Sequence, residues 1–354
     1  MTTALAFIFV LGVLIFIHEL GHFLVAKKVG IFVERFSIGF PPYIFSRKKG
    51  DTTYSIGLIP LGGFVKMKGE NPEEETAGDA DEFMSKSVGQ RAAVIFAGPF
   101  MNYLLAIVIM IGVFYFSGQP IFDETKITVG EVVEGGPAAM AGLKPGDQII
   151  AVDGHPVVVF DSLKEIVGSR LAAPVKLTWI SGGDTLQKMI TTEITEIPNP
   201  QGGVDSLGKL QFTQQVLRFE SFGFAESVRR GFVGAHMLVY KTVEFVGKLV
   251  SGQVSAKLLG GPLFIAQQSG KQAEEGASSL FMFMALLSVN LAVLNILPIP
   301  ILDGGHLVFL AIEAIKGSPL STRARGVAQQ VGLIVLLSLI VFVTYNDILR
   351  FFKS

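Results

Sequence analysis

The sequence predicts a polytopic α-helical membrane protein with four transmembrane segments, the third of them broken, and one small extracytoplasmic α/β domain. Three observations carry this expectation. Of 354 residues, 50% are apolar and only 17% charged, against about 25% charged in an average globular chain, and mean hydropathy is +0.53. The shortage of charge is concentrated in four long runs that would be insoluble as exposed helices. The stretch from Thr125 to about Pro198, by contrast, has the composition of a small soluble domain.

The first run, about Ala4 to Ala26, has no positive flank before it and no small-residue cleavage site after it, which favours a span over a removable signal. It is long enough to cross ~30 Å of hydrocarbon. A second run covers about Ala92 to Phe116. The third, about Leu280 to Leu297, meets Pro298 and Pro300, and the fourth covers about Val327 to Tyr345. Lys27, Lys28, Arg47, Lys48 and Lys49 follow the first span, and Lys316, Arg323 and Arg325 separate the third from the fourth. Basic residues mark cytoplasmic loops, so both termini and the segment from Ser117 to Ser279 are expected outside.

Between the first two spans, Thr52 to Met67 alternates at Tyr54, Ile56 and Leu58 and turns at Gly62-Gly63, the pattern of a hairpin or curved strand pair. The acidic stretch Glu70 to Glu82 reads as a solvated linker. In the outer segment, Ile127 to Val133, Gln148 to Val152 and Val175 to Ile180 read as short strands, separated by turn clusters such as Lys144-Pro145-Gly146-Asp147. Further on, Phe224, Val228, Phe232, Ala235, Val239, Val243, Val246 and Val250 make one apolar helical face. That face can pack on the domain, lie on the outer leaflet or brace the bundle. The resulting organisation is 1–116 for the first two spans and the hairpin, 125–198 for the soluble domain, 216–275 for the amphipathic region and 280–354 for the last two spans.

Composition also excludes. A net charge of −1, from 29 basic and 30 acidic residues, provides no field for nucleic acid. The absence of cysteine removes disulfides, thiolate catalysis and cysteine metal sites. Any metal must sit on His, Asp or Glu.

Such residues stand inside the first span, as His18-Glu19-Leu20-Gly21-His22. Ionisable side chains at membrane depth cost at least ~2.5 kcal/mol each on insertion scales, and a metal compensates that cost. Histidines at i and i+4 share a helix face and reach one tetrahedral Zn2+, while Glu19 stands beside them to take a proton from water. Catalytic zinc wants a third protein ligand, and Asp303, in Asn295-Ile-Leu-Pro-Ile-Pro-Ile-Leu-Asp303-Gly304-Gly305-His306, is the best placed. Both the first and third spans run from outside to inside, so His22 and Asp303 arrive near the same cytosolic level. Pro298 and Pro300 leave non-helical backbone, tolerated at that depth only beside protein or water. A helix N-cap is the competing reading of Asp303. His306 is a further ligand candidate, and Asn102 and Asn295 have interhelical hydrogen bonding as their plain reading. A metal transporter would also carry His, Glu and Asp in its spans, although it would spread them along a path through the bilayer or show repeated halves.

These residues together resemble the site-2 protease family of intramembrane zinc metalloproteases, above all its bacterial regulator-of-sigma-E branch. The resemblance runs through HELGH at His18 to His22, GGFVKM at Gly62 to Met67, Gly98-Pro99-Phe100-Met101-Asn102, and Asn295 to His306. It implies that His18, His22 and Asp303 bind Zn2+ and that Glu19 is the catalytic base. It implies also that Asn102 and Asn295 position substrate or the oxyanion, and that the hairpin, with Gly63, Phe64 and Val65, meets an unwound substrate as an added strand. The stretches Gly135 to Leu143 and Lys144 to Gly154 resemble the bacterial PDZ domain; the best-known members of the branch carry two in tandem, and only one fits here. The implied setting is the bacterial inner membrane with the PDZ domain outside. The implied partners are the lipid bilayer, single-span substrates such as trimmed anti-sigma factors or remnant signal peptides, and an upstream site-1 protease.

Overall fold

Each of the four apolar runs folds as a helix, because apolar side chains leave the backbone as the main polar demand and a helix satisfies it internally. The computed structural model describes residues 2–70, 78–198 and 204–351, so most of the acidic linker and residues 352–354 lie outside the described residues. The chain begins with α1 (Thr2–Lys28), β1 (Val33–Lys49), β2 (Thr52–Met67) and α2 (Val88–Phe116). Next come β3 (Gln119–Phe122), β4 (Ile127–Val132), α3 (Pro137–Ala141), β5 (Gln148–Val152), β6 (His155–Pro156) and α4 (Phe160–Gly168). The strands β7 (Pro174–Ser181), β8 (Asp184–Thr191), β9 (Glu193–Pro198), β10 (Val204–Lys209), β11 (Phe212–Gln214) and β12 (Val216–Glu220) follow. The remainder is helical: α5 (Phe224–Val250), a short 3-10 turn, α6 (Pro262–Glu275), α7 (Ala277–Ile296), α8 (Asp303–Lys316) and α9 (Thr322–Phe351). Among the described residues, α1, α2, α7 and α9 are long and apolar enough to cross a membrane.

The chain divides into two units, one comprising the residues up to Val113, Phe224–Val246 and those from Leu259 onward. In it, α1 buries Ala6, Val10, Leu14, His18 and His22, one seam at i, i+4 spacing, so the two histidines continue the face that packs on protein. The hairpin docks on the C-terminal half of α1 through Phe36, which meets Phe16 and Phe23 edge-on and lies against Tyr54. β1 is paired on both sides near its start: Arg35–Ile38 faces Thr53–Ile56 on one side and Gly63–Lys66 on the other. The second edge of Gly63–Val65 has no strand partner among the described residues. α7 ends at Ile296, and α8 starts at Asp303 after a non-helical turn. Gly304 lets that turn fold back, since a Cβ there would meet the carbonyl oxygens of Ile296 and Leu297.

α5 braces this unit through a stripe of small residues that overlaps the apolar face read from its periodicity only at Ala235. Ser227, Gly231 and Ala235 are its buried residues. Gly231 lies against Ile107 and Ile111 of α2, and Thr242 Oγ1 is 2.8 Å from Asn290 Oδ1 of α7. Phe224, Phe232 and Val243 are exposed. Small side chains admit close approach of helices, which large ones prevent, so the small stripe packs and the large apolar residues are left outside.

The other unit, Phe114–Gly223 with Gly247–Leu258, contains an antiparallel sheet of order β11-β4-β5-β7-β8, with β6 attached to β5. Its core unites Ile127, Val129, Ile149, Val152, Val175, Leu177 and Trp179 with Leu163 and Val167 of α4. The sheet draws β11 from beyond Pro198, so this unit extends past the 125–198 segment read from composition; three residues are too few for their alternation to mark a strand. Leu177→Ala should destabilise it by about 2–5 kcal/mol, since a fully buried leucine leaves a cavity. Hydrogen exchange on the whole chain should show the loss in β4, β5 and β7 with α1 unchanged.

Candidate active site

His18 and His22 project from the buried seam of α1 with their Nε2 atoms 3.2 Å apart. The carboxylate of Asp303, at the start of α8, closes a triangle. Its Oδ2 lies 3.2 Å from His18 Nε2 and its Oδ1 lies 3.6 Å from His22 Nε2. Asp303 is not an N-cap: Leu302 takes that position, and no side chain caps the helix.

The chemistry of these donors fits a metal. His22 Nδ1 is 2.8 Å from the Val94 carbonyl oxygen, which can only accept, so Nδ1 carries the proton and Nε2 of the neutral ring presents its lone pair. His18 Nδ1 lies 3.3 Å from the Asn102 amide. The Asn102 Oδ1 is buried with no other partner, and a half-turn of the amide lets it accept from His18 Nδ1–H, satisfying both groups. The Nε2 lone pair of His18 then faces that of His22 and a carboxylate whose Oδ2 accepts no hydrogen bond. Three converging electron donors repel unless a cation lies between them. A tetrahedral zinc with ~2.0 Å bonds has ligand–ligand edges of about 3.3 Å, close to the separations observed. Gly98 of α2 admits the rings: a Cβ there would collide with His22 Nε2 and crowd His18.

The triad opens into a cavity of about 480 Å3 lined also by Glu19, Gly63, Phe64, Val65, His306, Arg91 and Arg325. Gly63 lies close enough to α1 that a Cβ would stand 3.0 Å from Glu19 Cγ, so this part of β2 packs closely on α1 beside Glu19. Phe64 is half-buried, whereas Val65 is buried in the core between hairpin and helices. Val65 therefore offers the cavity main chain more than side chain.

Other expected residues lie elsewhere. Asn102 is fully buried against His18 and does not line the cavity. Asn295, half-buried in the last turn of α7, does not line it either. His306 lines the cavity outside the converging set; burial holds its imidazole below the usual range, with Asp303 pulling the other way. Sequence reasoning missed a buried cluster: Arg91 of α2 grips Glu313 of α8 at 2.5 and 3.2 Å, and Arg325 of α9 approaches the same carboxylate at 3.5 Å. The available signal was three isolated charges near the ends of apolar helices expected at one membrane level.

The profile of Peptidase family M50 matches residues 6–339. A protein of Agrobacterium fabrum is 38% identical over 362 residues, covering 97% of this chain and 94% of its own. Zinc metalloprotease RasP of Geobacillus kaustophilus is 32% identical, covering 98% of each chain. Regulator of sigma E protease of Haemophilus influenzae is 30% identical, again over 98% of each. Among solved structures, the PDZ domain of an SdrC-like protein from Listeria innocua aligns with 27% of this chain and 99% of its own at 18% identity, with a TM-score of 0.21, a value on which no statement about fold rests. On the profile and the full-length relatives, the chain belongs to peptidase family M50, the site-2 protease family, and is a zinc metalloprotease.

Proposed function

We propose that this protein is an intramembrane protease of the bacterial inner membrane that hydrolyses peptide bonds in single-span membrane proteins. The observation that carries the reading is the convergence of His18 Nε2, His22 Nε2 and an Asp303 oxygen on one point beside Glu19 and an open cavity. In this reading α1, α2, α7 and α9 span the bilayer, the third span is broken between Ile296 and Asp303, and the hairpin is cytosolic. The unit containing β4–β8 is a single extracytoplasmic PDZ domain, and 216–275 is a bracing region that precedes the last two spans at 280–354.

His18, His22 and Asp303 hold the zinc. When bound, zinc supplies Lewis-acid polarisation of a carbonyl and makes water more acidic. Glu19 takes the proton from the attacking water and delivers it to the leaving amine nitrogen. Asn102 accepts from His18 Nδ1–H, fixing the tautomer and the ring plane. The free edge at Gly63–Phe64 pairs with an extended substrate backbone, offsetting hydrogen bonds lost when a substrate helix unwinds. Asn295, near the break, contacts the substrate as it enters. Substrates of this kind include anti-sigma factors already trimmed by a site-1 protease and remnant signal peptides, which leave a span with little bulk outside.

The test is cleavage of a panel of trimmed single-span substrates by the purified protein, with zinc content measured alongside. The wild type should cleave and a zinc chelator should stop it. Glu19→Gln should retain zinc while turnover falls by about 10²–10⁴. Appreciable cleavage by the zinc-loaded Glu19→Gln protein would remove Glu19 from the base role. Asn102→Ala should weaken zinc affinity by about 10–100-fold, the usual scale for a group that orients a metal-binding histidine. Competition against a chromogenic chelator measures it; an unchanged affinity accompanied by a raised KM would return Asn102 to substrate contact.

A further inference from the structure

The proposed function leaves one charged group in the cavity wall without a task. Arg91 is fully paired in charge: Nε donates to the Lys86 carbonyl oxygen at 3.1 Å, while Nη1 and Nη2 form a two-pronged pair with Glu313. Both oxygens of Glu313 are thereby engaged. Arg325 reaches this carboxylate only at 3.5 Å through one Nη2, and its Nε is buried with no acceptor. Its side chain is 13% exposed, so the guanidinium is not turned out into solvent. One carboxylate between two guanidinium groups leaves a positive charge at the cavity wall.

The other carboxylates lining the cavity do not answer it. Asp303 faces the two histidines, Glu19 stands beside Gly63, and Glu70 is exposed at the hairpin, where it accepts from the Met67 N–H at 3.3 Å. A guanidinium held away from water without a full partner is costly, and it is strongest as a donor to a planar carboxylate. Gln329, one turn further along α9, lines the same cavity and adds an amide donor on the same helix face.

We infer that Arg325, assisted by Gln329, binds a carboxylate of the chain being cleaved. This rests on the proposed protease reading and adds a specificity element to it. Two sources share the chemistry. One is an Asp or Glu side chain of the substrate near the scissile bond; the other is the α-carboxylate of the newly formed product.

The experiment uses the zinc-loaded full-length protein in lipid nanodiscs and a single-span substrate carrying Glu or Gln, one at a time, at positions flanking the mapped cleavage site. For the side-chain source, the wild type should favour Glu over Gln at one position by about tenfold in kcat/KM, equivalent to ~1.4 kcal/mol. Arg325→Gln should bring that ratio close to one, and Arg325→Lys should retain part of it. Each ratio is internal to one enzyme, so a partly folded variant still reports. For the product source, no substrate position shows a preference, but a free-acid product peptide inhibits the wild type more strongly than its amide, and Arg325→Gln abolishes the difference. A preference that survives in Arg325→Gln overturns the inference. So does a wild type that cleaves the panel without preference and is inhibited equally by acid and amide, and this last result needs no variant. A wild type that cleaves no member of the panel overturns the protease reading itself, and the inference with it.

Discussion

Three lone-pair donors meet within 3.2 to 3.6 Å on the packed seam of an apolar helix, and that meeting is favourable only around a cation. Much of the surrounding architecture follows from it. The rings need space that Gly98 leaves, protons held on the far nitrogens by Val94 and Asn102, and a carboxylate delivered from a second helix. Delivery requires α7 to stop short and the chain to fold back before α8 begins. The glycine pair after Asp303 is the sequence's provision for that return. A continuous helix through 297–302 would have carried Asp303 past the histidines.

The same constraint shapes access. In the proposed reading the hydrolytic centre stands on a membrane-spanning helix and needs water and an extended substrate, neither of which is native to hydrocarbon. The cavity supplies room for water, and the hairpin places at its wall Gly63 and Phe64, whose second edge pairs with no strand among the described residues. Aromatic packing of Phe36 on Phe16 and Phe23 holds that edge against α1. Ile44, Phe45, Ile56 and Leu58 of the hairpin are exposed large apolar residues.

The convergence of the candidate site residues was legible because its signals are local. An i, i+4 histidine pair inside an uncharged run declares its face by helical geometry, and Asp-Gly-Gly after two prolines declares a turn at the end of a span. What stayed hidden was long-range or a matter of side-chain size. Periodicity marked an apolar face on α5 without saying what it packs on; the buried residues are Ser227, Gly231 and Ala235, of which only Ala235 belongs to that face, since small side chains admit close approach of helices. Asn102 appeared as a polar residue in a span, and only the fold shows that its amide faces His18. Arg91 and Glu313 are 222 residues apart, a pairing that no local pattern announces. The strand β11 lay hidden for a related reason, because its three residues gain meaning only beside β4.

The central claim is that one zinc is held by two imidazoles and one carboxylate. Zinc-edge X-ray absorption on the loaded, substrate-free protein tests this most directly, because imidazole rings give multiple-scattering features that carboxylate and water do not. The account predicts a four-coordinate site of nitrogen and oxygen donors at ~2.0 Å, fitted by two imidazoles. A third imidazole would contradict it and would transfer a ligand role to His306; a spectrum with fewer than two would detach the metal from His18 and His22.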